Sequence, residues 1–71
     1  MYHDNPMQEA IYVLEEYKRR LGRNFDQATE HHMRVRYFNK YNHTENLIRE
    51  LCDTHGLKRR SQPHKLKLEN L

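Results

Sequence analysis

Cys52 and His55 stand three apart, His64 lies nine residues further on, and His31 and His32 are adjacent. Thiolate and imidazole are common zinc donors, but a structural zinc site wants four ligands, usually in two closely spaced pairs. Only Cys52 and His55 have that spacing. Neighbouring residues on a helix project about 100° apart, so His31 and His32 do not readily serve one ion. His55 could act as a base for a nucleophilic Cys52 thiolate. Cys52, however, closes an apolar stripe with Leu47, Ile48 and Leu51, where a free cysteine acts as a small hydrophobe. A chain of 71 residues also leaves little room for a pocket that excludes water. The expectation is surface histidines and a buried thiol, with no metal site, no cofactor and no catalytic residue.

The basic side chains offer a second chemistry. Lys58, Arg59, Arg60, Lys65 and Lys67 could neutralise phosphates or another acidic surface. Arg34, Arg36 and Lys40 are interleaved with Tyr37 and Tyr41, rings on which bases stack. Cations near a helix C-terminus are favoured by the helix dipole without any ligand, and a terminal run of charge is usually a solvated one. A third helix carrying Glu45, Glu50 and Asp53 against Arg49 would be a poor DNA-recognition surface, which argues against a helix-turn-helix.

Three helices would position these groups. Asn5 can cap a first helix, Pro6 suits its first position, and Gln8 stands where a capping box wants Glu or Gln. Met7, Leu14 and Leu21 recur every seven residues, with Ala10 and Tyr17 between them and Ile11 widening the seam. Gly22 then offers a left-handed ending after Lys18, Arg19 and Arg20, which predicts helix 1 over 6–21. Asn24 and Gln27 open a second helix over 25–41, with Phe25, Ala28, His32, Val35 and Phe38 on one face and Met33, Tyr37 and Tyr41 beside it. Asn42, Thr44 and Glu45 look like a further cap and predict a break, followed by a short helix over 44–55. Gly56 would end it, with Leu57 folding back on Cys52. The rival is one helix running through both. From Lys58 onward, Ser61, Gln62 and Pro63 interrupt any helix and the rest alternates polar and apolar, as an extended segment does.

Leu, Ile, Val and Phe together number 14 of 71 residues, too few for a generous core. Net charge is +3 overall, yet residues 1–24 sum to zero, residues 25–56 to −1, and residues 57–71 to +4. The basic excess belongs to the tail. The composition excludes a multidomain enzyme, a nucleotide-binding α/β fold and a disulfide scaffold, since Cys52 is the single cysteine. No run of 18 apolar residues occurs, so no membrane span is expected. The opening residues lack both the charged and the apolar regions of a secretory signal. A soluble intracellular protein is expected, cytoplasmic by default, with the mitochondrion as the alternative.

Val13 through Arg19, followed by Phe25 and a basic helix ending near Phe38 and Asn39, resembles the LYR-motif proteins of mitochondria. Tyr17 and Lys18 match the motif core, Lys18 replacing its usual Arg and Glu16 standing where the family has Leu. The resemblance covers roughly residues 10–57 and implies a small three-helix accessory subunit, of a family often paired with acyl carrier protein.

The expectation from the residues is an all-α chain: a three-helix domain over 1–57, built as a helical hairpin plus a short third helix, and an extended basic tail over 58–71. Its function is that of a non-enzymatic accessory subunit or adaptor docking onto a larger protein or ribonucleoprotein assembly. Met7, Ile11, Leu14, Tyr17 and Leu21, with Leu47, Ile48 and Leu51, supply its core or partner-binding face. Leu66, Leu68 and Leu71 have no evident home, and five tyrosines (Tyr2, Tyr12, Tyr17, Tyr37 and Tyr41) add interfacial area. Arg34, Arg36, Lys40 and the five tail cations would contact an acidic partner or RNA. The alternative is a nucleic-acid-binding regulator of phage or plasmid type, acting as a homodimer.

Overall fold

A computed structural model of the chain describes residues 5–68; Tyr2, Glu69 and Leu71 lie outside them. Among the described residues the chain forms two helices, α1 (Pro6–Gln27) and α2 (His31–His55), joined by three residues. They pack side by side as a hairpin, and residues 57–68 follow without regular secondary structure. The fold is all-α. No helix among these residues is long and apolar enough to cross a membrane.

The start of α1 forms at Asn5 and Pro6 as the sequence predicts, but Gln8 closes no capping box, because its side-chain amide is taken by the backbone of Lys58. Asn5 Oδ1 accepts the Met7 and Gln8 amides at 3.1 and 3.4 Å, with Pro6 at the first helical position. The end of α1 does not follow the sequence expectation. Gly22 is no terminator: its Cα faces Tyr41, and a Cβ there would sit 3.1 Å from Tyr41 Cε2. The glycine is needed for close approach of the helices, so α1 runs on through Asn24, the residue read above as the cap of helix 2. Arg34 takes over the role of a C-cap, donating to the carbonyls of Phe25 and Ala28 at 2.8 and 3.1 Å while its guanidinium lies 4.0 Å from the Phe25 ring. Carbonyls left open at a helix end are thus satisfied from the next helix.

The expected break between a second and a third helix is absent, and α2 passes through it. Each residue that resembled a cap is engaged elsewhere. Asn42 bonds the tail, Thr44 Oγ1 donates to the Lys40 carbonyl one turn back at 2.7 Å, and Glu45 is in the interior. The three-helix architecture, which the LYR resemblance also implied, is therefore replaced by two long helices. The expected ending is as read: Gly56 adopts φ 63°, the Leu57 amide reaches the Cys52 carbonyl at 3.1 Å, and Leu57 packs on the cluster containing Cys52.

The core is small. Ile11, Ile48 and Cys52 form its centre, with Leu14, Leu51 and Leu57 at its edge, and Leu21, Phe25 and Tyr41 are buried nearer the hairpin tip. Alongside them Glu15, Lys18, Thr44 and Glu45 are buried as deeply. The molecule measures 46 × 19 × 16 Å, with a radius of gyration of 13.7 Å, against about 11 Å for a compact chain of this length.

Candidate functional site

The buried polar residues face one another along one groove of the hairpin, and the tail lies in it. On α1, Glu15 and Lys18 fall four and seven residues after Ile11, on the stripe that Leu21 and Phe25 continue. On α2, Glu45 stands three residues before Ile48 and seven before Cys52. Helical periodicity turns all of them inward. Lys18 Nζ donates to Glu45 Oε1 at 2.6 Å and lies 4.9 Å from the Tyr41 ring centroid. Arg59 of the tail grips the same carboxylate with both terminal nitrogens, Nη1 to Oε2 at 2.9 Å and Nη2 to Oε1 at 2.8 Å. Glu45 is 0% exposed.

Glu15 holds the tail backbone. Its carboxylate accepts the Arg60 amide at 3.1 Å, the Ser61 amide at 2.9 Å and the Ser61 hydroxyl at 2.6 Å. Arg59 Nε, 3.8 Å from Glu15 Oε2, is buried with no hydrogen-bond partner among the described residues. Two side-chain amides flank this centre. Gln8 donates to the Lys58 carbonyl at 2.8 Å and accepts the Lys58 amide at 3.1 Å. Asn42 does the same for Leu66, at 3.2 and 2.8 Å. Between them Arg60 stacks 3.7 Å from the Tyr12 ring centroid, and Tyr41 Oη lies 2.9 Å from His64 Nδ1.

Burial by itself would raise the Glu45 pKa, but the hydrogen bonds and charges of Arg59 and Lys18 outweigh it and hold the carboxyl at about 2. Glu15 is also lowered: burial is overcome by the Ser61 hydroxyl and amide, the Arg60 amide and the Arg59 charge. The bidentate bond to Glu45 raises Arg59 against its desolvation. Both carboxylates are ionised at neutral pH and every oxygen already accepts hydrogen bonds. The cluster ties residues 59–61 to both helices. Burial pushes the Cys52 thiol upward, which keeps it protonated and weakly nucleophilic.

Comparison with family models, curated proteins and solved structures returns no match.

The residues singled out from sequence are distributed as follows. Ile11, Leu21 and Ile48 are inside the hairpin, Met7, Leu14 and Leu51 are half-buried, and Tyr17 and Leu47 are exposed. Of the cations, Arg34 closes α1, Arg59 enters the charged cluster and Arg60 stacks on Tyr12. Arg36, Lys40, Lys58, Lys65 and Lys67 are exposed. His31, His32 and His55 are exposed while Cys52 is buried, so the spacing that suggested a metal does not converge. Among the described residues no three His, Cys, Asp or Glu side chains are placed to share an ion. Sequence reasoning missed Gln8, Glu15, Lys18, Asn42, Glu45, Ser61 and His64 as site residues. A signal was present for three of them: Glu15, Lys18 and Glu45 occupy helical positions where the apolar stripe continues on either side.

Proposed function

We propose that this chain is a non-enzymatic helical-hairpin adaptor, an accessory subunit that docks onto a larger protein or ribonucleoprotein assembly. The observation that carries this reading is an apolar strip on the side of the hairpin turned away from the tail. Lys18 against Glu45 and Gly22 against Tyr41 set the helix register, which brings Tyr17 level with Leu47 and Leu14 level with Leu51. Tyr17 is 42% exposed and Leu47 38%, with Val13 beyond them at 65%. In a chain with so few aliphatic residues, leaving these outside is informative, because a clustered apolar patch with an aromatic marks a contact surface. The exposed Arg36, Lys40, Lys58, Lys65 and Lys67 would meet acidic groups of the assembly, RNA included.

The second reading, a dimeric nucleic-acid-binding regulator, would use the same strip for self-association and the same five cations for phosphate. It draws less support, since Arg34 and Arg59 are committed inside the fold and the exposed Arg60 lies over Tyr12. The LYR-like reading is weaker again: Lys18, half of its motif core, faces Glu45.

The test compares the tagged full-length chain with Tyr17→Glu/Leu47→Glu, expressed in the cells it comes from. The wild type is expected to co-purify with a companion in fixed stoichiometry that the variant loses, with both showing the same thermal melt. A variant that keeps the companion overturns the reading. A purified dimer whose nucleic-acid affinity falls steeply between low and moderate salt would replace it with the regulator.

A further inference from the structure

On the opposite side of the hairpin, the tail sits in its groove as a bound peptide sits in a receptor. Peptide recognition combines backbone contacts indifferent to sequence with contacts that select side chains, and the groove has both. Gln8 and Asn42 each pair with the N–H and the C=O of one tail residue, Lys58 at one end and Leu66 at the other. Between these anchors Glu45 takes the Arg59 guanidinium bidentately, Tyr12 underlies Arg60, and Glu15 takes the Ser61 hydroxyl. The two helices by themselves bring Glu15, Glu45 and a single cation, Lys18, to this floor. The second cation is the tail's Arg59. An acidic floor with one charge left over calls for a cationic occupant, since an uncompensated buried carboxylate is costly. The tail enters through one left-handed residue, Gly56, around which a Cβ would meet nothing within 4 Å.

We infer that the groove between α1 and α2 is a binding site for an extended, arginine-bearing peptide, and that residues 57–66 are its resident occupant. A partner segment presenting arginine and, two positions later, serine fits the same contacts and displaces the tail. This inference is independent of the strip around Tyr17 and Leu47. A tethered occupant competes at an effective concentration of about millimolar, so in the free chain the site is masked.

The experiment uses the full chain and a fluorescent synthetic peptide of residues 57–66, with binding read by anisotropy. Two variants weaken the tail and change no residue of the groove: Arg59→Ala, and Ser61→Glu, which sets a carboxylate against Glu15. Both are expected to bind the peptide at least about tenfold more tightly than the wild type, and alanine at the peptide's Arg59 position to remove about tenfold, as loss of a bidentate charged contact requires. A parallel measurement needs no variant to fold. In the ¹⁵N-labelled wild type, unlabelled peptide at millimolar concentration is expected to shift the Ser61 and Leu66 amide signals to released positions while that of Ile48 holds. Variants that keep their helical circular dichroism but bind no peptide overturn the proposal. So does a wild type whose Ser61 and Leu66 amides are unmoved, which would make the tail a fixed strap.

Discussion

Glu45 joins all three segments of the fold. Lys18 reaches it from α1 and Arg59 from the tail, and it has no contact with solvent. Removing one partner of a buried ionic cluster leaves charge that the interior cannot solvate, which costs about 3–5 kcal/mol. Glu45→Gln keeps the shape and removes the charge, so it is expected to lower the stability at pH 7 by about that amount in urea titrations. Acid acts on the same group. With the folded pKa near 2 and the ordinary value 4.5, the unfolded chain takes up the proton first. The stabilisation from Glu45 is therefore complete above about pH 4.5 and lost as the pH falls toward 2. Glu15, lowered as well, adds to the same acid limb. The melting temperature of the wild type is expected to drop across this window, and the drop to be shallower in Glu45→Gln.

At the scale of elements, side-chain tertiary bonds decide where the helices end and where they do not. Asn42, Thr44 and Glu45 carry the composition of a cap, and each has a stronger use: tail backbone, preceding carbonyl and buried cations. Gly22 carries the composition of a stop, and its use is the approach of Tyr41. The expected outcome of enlarging it follows from that contact. Tyr41 is itself buried, held by Lys18 on its face and His64 at its hydroxyl, so it has little freedom to move. Gly22→Leu improves helix propensity by up to about 1 kcal/mol but forces the helices apart, and overpacking of this kind costs about 1–3 kcal/mol. Denaturant titration is expected to show net destabilisation. A variant more stable than the wild type would mean that the Tyr41 contact is slack.

As a whole molecule, the chain compensates for a thin apolar core with an ion cluster that closes only when the tail is in place. Buried pairs are screened far less than surface pairs, so the melting temperature is expected to change little between 0.1 and 1 M salt, to within about 3 °C. A large fall would place the stabilising charges at the surface. What the residues determined by themselves is the local part: the helical character, the Asn5 and Pro6 start, the Gly56 ending with its Leu57 return, the scarcity of core, and the basic excess after residue 56. These are legible because capping, dihedral preference and composition act within a few residues of one another. The continuity of α2, the passage of α1 through Gly22, the inward turn of Glu15, Lys18 and Glu45 and the seating of Arg59 were decided only by the tertiary structure. Each rests on a partner distant in sequence, as Arg59 does on Glu45, and a charged side chain is placed inside only when the opposite charge arrives to meet it.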